Sequence, residues 1–117
     1  MKLYGIANCS TVKKARLWLE QHEVAVEFHD FKNLSISESL LLDWVNQVGW
    51  EKLLNRKGTT WRLLPDEVKA SICDETDAIR LMLAKSSVIK RPIVESDGKI
   101  AQIGFDEAAY QILFGKH

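Results

Sequence analysis

The 117-residue chain is expected to fold as one α/β domain, a small mixed sheet interrupted by a run of helices. Three observations lead there. The N-terminal third reads strand, helix, strand: an apolar run Leu3 to Ile6, an amphipathic pattern after it, then a β-branched segment from Val24 to His29. The middle, from Ser37 to Lys85, carries helical spacing almost throughout. The C-terminal end reads as a hairpin followed by one more helix.

The first strand, Leu3-Tyr4-Gly5-Ile6, has the length of a buried strand. Asn8-Cys9-Ser10-Thr11 breaks it. Val12, Ala15, Leu17, Trp18 and Leu19 then alternate with Lys13, Lys14, Arg16 and Glu20 in a helix that runs to about Gln21-His22. Backbone N–H groups at the start of that helix have no intrahelical partner, and the positive end of its dipole lies there. A thiol at Cys9 therefore has its anion favoured, and Lys13 and Lys14 add positive charge within a turn. The thiolate is the nucleophilic form. Read locally, Cys9 is either such a reactive thiol or a small buried apolar side chain. Val12 stands where the second cysteine of a Cys-x-x-Cys motif would be, so a dithiol redox motif is excluded at this loop.

The second strand, Val24 to His29, is expected to run parallel to the first through a right-handed crossover. Asp30 to Asn33 leads out. Ser37 can cap a helix from Glu38 to Val48, with Leu40, Leu41, Trp44, Val45 and Val48 in three- and four-residue steps, and Gly49 ends it. A short helix to about Asn55 follows, then a basic loop, Arg56 to Arg62, with aromatic neighbours. Pro65 suits the first position of a helix from Asp66 to Ile72. Asp74 to Asp77 is expected to break the chain before a helix from Ala78 to Lys85. Val88 to Glu95 reads as a strand containing Pro92, which marks a start, an edge or a bend because proline cannot donate to a ladder. Ser96-Asp97-Gly98-Lys99 is a hairpin turn, Lys99 to Gly104 the returning strand, and Asp106 caps a helix from Glu107 to Phe114. The order β-α-β, helices, β-β-α is that of a thioredoxin-like mixed sheet with a helical insertion between its halves. The sheet is expected from residues 1–31 and 87–117, and the insertion from residues 35–86.

Composition narrows the function. With 46% hydrophobic and 27% charged residues the chain resembles an ordinary globular domain long enough to bury a core without staples. Its formal net charge is zero, so no bulk attraction to nucleic acid or an anionic membrane is expected. No apolar run approaches the ~20 residues that span a bilayer, and no signal peptide is visible. Cys9 and Cys73 lie far apart without metal spacing, and His22, His29 and His117 are scattered, so neither a disulfide framework, a zinc site nor another metal cluster is suggested. A reducing, cytoplasmic compartment is expected.

A family likeness rests on collinear motifs across nearly the whole chain: Leu3-Tyr4-Gly5-Ile6, Asn8-Cys9-x-Thr11-x-Lys13-Lys14-Ala15, Gly49-Trp50-Glu51-x-Leu53-Leu54-Asn55, Arg56-x-Gly58-Thr59-Thr60-Trp61-Arg62, Ile89-Lys90-Arg91-Pro92 and Gly104-Phe105. The sequence resembles the arsenate reductase (ArsC)/Spx family of thioredoxin-fold proteins, and within it the YffB-type subgroup. The resemblance implies that Cys9 falls on the catalytic cysteine. It implies that Arg56 and Arg91 fall on two arginines that hold oxyanion and thiolate, and that Pro92 falls on the cis-proline beside the cysteine. Next to a thiol, such a proline presents backbone to an extended peptide such as glutathione. Three departures stand against arsenate reduction. The third oxyanion-binding arginine is missing from Ile103-Gly104-Phe105, the serine three residues after the cysteine is Val12, and the histidine four residues before it is Gly5. The Cys-x-x-Cys switch of Spx proteins is absent too.

Locally, Arg56 reads equally as an exposed loop charge and Arg91 as a strand-edge guard. Guanidinium nonetheless suits the implied task, because it stays charged and grips carboxylate bidentately. Thr11 either hydrogen-bonds the thiolate or only caps. Lys13 tunes the thiol from a solvated helix face. Cys73 reads as a structural thiol, and Trp18, Trp44, Trp50 and Trp61 as packing. The expected function is a glutathione-dependent monothiol reductase in which Cys9 attacks a small-molecule or protein disulfide. Glutathione, acting as co-substrate on Arg56, Arg91, Pro92 and Thr11, resolves the product. Neither metal nor flavin is expected, and the chain is expected to work as a monomer. The alternatives are a non-catalytic module binding a peptide or protein in the same groove and, less favoured, a true arsenate reductase.

Overall fold

The computed structural model describes residues 1–32 and 36–115. The expected lead-out at Asn33, the first residue of the expected insertion (Ser35) and His117 lie outside them. The chain divides into two units, one formed by Met1–Leu34 and Arg91–His117, the other by Ser35–Lys90.

The first unit is a four-stranded mixed sheet in the order β2-β1-β3-β4. Strand β1, Lys2–Gly5, leads through helix α1, Ser10–Gln21, to β2, Glu27–Asp30, which runs parallel to β1. Strand β3, Ile93–Ser96, is antiparallel to β1, and β4, Lys99–Ile103, is antiparallel to β3, with a register shift between Val94 and Glu95. Helix α7, Glu107–Phe114, closes the unit, with the Asp106 carboxylate accepting from the N–H groups of Ala108 and Ala109. Leu3 and Val94 from one sheet face pack with Val12, Ala15, Trp18 and Leu19 of α1 and Tyr110 of α7. Each large side chain buried there contributes roughly 1.5–3 kcal/mol, more than a typical helix cap, so packing more than capping positions α1. Tyr110 is fully buried and meets Trp18, Phe105 and Phe114 edge-on, and burial pushes its phenol well up.

The second unit is helical: α2 is Glu38–Val48, α3 Trp50–Leu53, α4 Thr59–Arg62, α5 Asp66–Ser71 and α6 Glu75–Ala84, followed by a 3-10 turn, Ser86–Val88. Ser37 caps α2 by accepting from the Leu40 N–H, and Gly49 ends it with φ +86°. Leu41, Trp44, Leu53, Ala78, Met82, Val88 and Ile89 are fully buried.

Several boundaries differ from expectation, each for a physical reason. Strand β2 begins at Glu27 rather than Val24: its parallel register on β1 starts with Glu27 opposite Lys2. The Val24 N–H turns back to the Leu19 carbonyl instead. The expected basic loop contains α4, one turn after Gly58. Pro65 precedes α5 at its cap position rather than opening it. Asp74 to Asp77 starts a helix instead of breaking one: Asp74 accepts from the Asp77 N–H, and Glu75 and Asp77 oppose the dipole in the first turn. Strand β3 begins only at Ile93. Val88 to Lys90 belongs to the helical unit, where the Asn55 N–H donates to Val88 and the Lys90 N–H to Leu53 around a Leu54–Ile89 bridge. The expected sheet segment 87–117 is therefore shorter at its start. Pro92, with no N–H to offer a ladder, separates the two pairings.

Candidate active site

Cys9 follows the turn that leaves β1 and is the N-cap residue of α1, with extended backbone at φ −125° and ψ 125°. It is half-buried and free. No acidic side chain in the first turn of α1 neutralises the helix dipole there. The neutral thiol makes no conventional cap hydrogen bond; its anion is what the surrounding donors favour. Burial alone raises the thiol pKa. The Val12 backbone N–H, the Arg91 guanidinium through a hydrogen bond and through its charge, and the Thr11 backbone N–H together outweigh burial and hold it below the ordinary thiol value.

Arg91 reaches the thiol because it stands between the helical unit's last pairing and the first residues of β3, in the turn that contains Pro92. The Arg91–Pro92 peptide bond is cis, Pro92 is buried, and its carbonyl accepts from the Gly104 N–H at 2.8 Å. Thr11 contributes its backbone N–H to the thiol. Lys13, expected to tune the thiol, is exposed, and the groups that move Cys9 are the Val12 and Thr11 N–H groups and Arg91.

Arg56 lies in the helical unit. It is exposed, with its guanidinium carbon 5.6 Å from the ring centre of Trp50 and 5.8 Å from that of Trp61. These two half-buried tryptophans thus hold a cation, whereas Trp44 and Trp18 are core. Asn55 shapes the loop by accepting from the Lys57 N–H at 3.1 Å. Cys73 is exposed in the same unit and donates its thiol to the Ala70 carbonyl.

Two residues matter more than the sequence suggested. Val12 appears there only as a missing cysteine, yet its N–H is the first of the groups lowering the thiol. Its position three residues into a Cys-capped helix is the signal that was available. Gly5 is buried, and a Cβ there would stand 2.8 Å from Val12 Cγ2. The two departures at positions 5 and 12 are therefore one packing contact. The segment lacking the third arginine holds Gly104 at φ +82°, a conformation that disfavours a side chain, and the Tyr110 hydroxyl donates to its carbonyl. Among the described residues no three His, Cys, Asp or Glu side chains cluster as metal ligands.

A thioredoxin-like sheet carrying a half-buried cysteine at the head of its first helix, with an arginine on the sulfur, defines the class of protein. The model of the ArsC family matches residues 4–113. Over 97% of this chain and 98% of the other, the fold matches that of a protein named YFFB at a TM-score of 0.89 and 46% identity. An arsenate reductase (ArsC) related protein from Brucella melitensis matches at a TM-score of 0.79 and 46% identity, over 97% of this chain and 92% of its own. The global transcriptional regulator Spx of Streptococcus mutans is 28% identical over 107 residues, 90% of this chain and 76% of that protein. The chain belongs to the ArsC family.

Proposed function

We propose that the protein is a glutathione-dependent monothiol reductase. The observation that carries this reading is the Arg91 guanidinium on the sulfur of Cys9, at a helix start whose Val12 and Thr11 N–H groups favour the same anion. Cys9 thiolate attacks one sulfur of a small-molecule or protein disulfide, forming a mixed disulfide and releasing the other sulfur as thiolate. The thiolate of glutathione then attacks that mixed disulfide. Cys9 leaves as thiolate, and the carried sulfur departs bonded to glutathione. Cys9 is regenerated, so these two steps exchange one glutathione thiolate for one substrate thiolate. A second glutathione thiolate, attacking the glutathione mixed disulfide, frees the remaining substrate thiolate, forms oxidised glutathione and completes the two-electron reduction. Position 12 offers no resolving thiol, so the resolving thiolate comes from glutathione. Arg91 supplies guanidinium for a glutathione carboxylate, while Pro92 and the Thr11 backbone offer its peptide a place to lie. The cofactor role is that of a co-substrate, and neither metal nor flavin takes part.

Incubation with oxidised glutathione followed by mass spectrometry tests this reading. One adduct on Cys9 is expected, unchanged in Cys73→Ser and absent in Cys9→Ser. Turnover should require free glutathione, and loss of turnover in Cys73→Ser would sink the proposal. Arsenate reduction should be weak, for want of the third arginine.

A second reading draws on the identity to the Spx regulators. In it the same groove holds a protein or peptide without turnover. Silence in every redox assay, together with unchanged partner binding by Cys9→Ser, would put this reading in place of the first.

A further inference from the structure

Gly5 ends β1, and its backbone is held on the sheet. It pairs with Asp30 of β2, and its carbonyl accepts from the Phe31 N–H at 3.0 Å. An ideal Cβ at this position would stand 2.8 Å from Val12 Cγ2 and 3.2 Å from Cγ1. Val12 has little room to retreat. It is fully buried, sits in the core with Leu3, Ala15 and Leu19, and is β-branched, so its χ1 is stiff on a helix. The contact therefore joins two rigid bodies: the end of a central strand and the first turn of α1.

That first turn is the one whose backbone faces the thiol. The Lys13 N–H closes it on the Cys9 carbonyl at 2.9 Å, and Val12 occupies the third helical position, whose N–H points back toward the cap residue. A shift of a few tenths of an ångström at the Val12 side chain moves that N–H, because side chain and amide share one backbone. We infer that Gly5 is a positioning residue for Cys9: its missing Cβ lets Val12 seat against the sheet, and this seat aims the Val12 N–H at the sulfur. The absence of a side chain at Gly5 thus bears on the thiolate, although Gly5 itself offers it no polar group. The proposal rests on the reading of Cys9 as a functional thiolate, but not on glutathione as the reagent.

The test measures iodoacetamide labelling of Cys9 across pH, without glutathione, in a Cys73→Ser background, alongside thermal unfolding. Gly5→Ala should slow labelling at neutral pH by about threefold to tenfold and move its midpoint up, the mark of a weakened anion-directed hydrogen bond. Adding Val12→Ala removes the two Cγ atoms that the new methyl meets. The double variant should label at close to the parental rate and midpoint. Should Gly5→Ala fail to fold, the double variant carries the test alone, since a folded double variant with a raised midpoint would overturn the inference. A folded Gly5→Ala with lowered Tm and unchanged labelling would also overturn it, leaving Gly5 a packing residue only. Failure of the glutathione reading shows separately, as absence of the Cys9 adduct in the parental chain.

Discussion

Arg91 is the side chain among the groups that lower the Cys9 thiol. It acts on the sulfur both as hydrogen-bond donor and as charge. Arg91→Ala should slow iodoacetamide labelling at neutral pH by roughly tenfold, in line with the loss of one charge-assisted hydrogen bond of about 1.5–3 kcal/mol reduced by solvent screening. Lys13→Ala should leave labelling within about twofold, because that exposed side chain is not among the groups that shift the thiol. The pH dependence follows from the direction of the shift. A thiol whose folded pKa lies below its unfolded value adds stability fully above the unfolded reference of about 8.5, and that stability disappears as pH falls through the folded midpoint. The parental chain should therefore gain Tm relative to Cys9→Ser as pH rises from the folded midpoint toward about 8.5, and Arg91→Ala should shrink the gain. Thermal scans at stepped pH check this. A flat difference would mean that the fold does not favour the thiolate.

Among the elements, the sheet carries a polar contact of its own. Tyr4 of β1 lies opposite His29 of β2, with ring centres 4.8 Å apart, and its hydroxyl donates to the buried Glu95 carboxylate on β3. Burial first, then Glu95 through charge and hydrogen bond, then the charge of Glu27, push the phenol from 10.0 to about 12. The folded pKa lies above the unfolded one. The stabilising contribution is thus whole below about pH 10 and is lost as pH rises through about 12. Tyr4→Phe should abolish the part of alkaline destabilisation that tracks phenolate absorbance. At neutral pH it should cost about 1–3 kcal/mol by removing a donor from a buried carboxylate. In the helical unit, Asp74 is the cap of α6. Asp74→Ala should lower stability by about 1 kcal/mol in urea unfolding and leave Cys9 labelling unchanged. Unaltered stability would mean that α6 is held by its buried Ala78, Ile79, Leu81 and Met82 alone.

At the scale of the whole molecule, Arg91 belongs to the sheet unit and Arg56 to the helical one. Of these two arginines, Arg91 is the one that shifts the thiol. Arg91→Ala should therefore impair both thiolate formation and glutathione use. Arg56→Ala should leave labelling within about twofold, because its guanidinium is not among the groups that shift the thiol. Steady-state kinetics over a glutathione series, set beside labelling rates, separates the two effects of Arg91→Ala. Equal loss of labelling in both variants would contradict this assignment. No helix among the described residues is long and apolar enough to cross a membrane.

Much of the fold was legible because it rests on local chemistry. Helical spacing with Ser37 and Gly49 delimited α2, Asp106 announced α7, and Asp97-Gly98, both at positive φ, made the hairpin turn. Cys9 at the head of α1 was legible for the same reason, since a cap position is a property of the few residues around it. The tertiary structure decided what depends on a partner distant in sequence. Where β2 begins was set by its register on β1, and Val88 to Lys90 lie outside the expected strand because they pair with residues 53–55. Arg91, and not the neighbouring lysines, became the cation on the thiol, because only the return of the chain through β3 brings it there. The seat of Val12 against Gly5 was hidden too: spacing reveals which face a residue shows, whereas a missing methyl matters only against what stands opposite it.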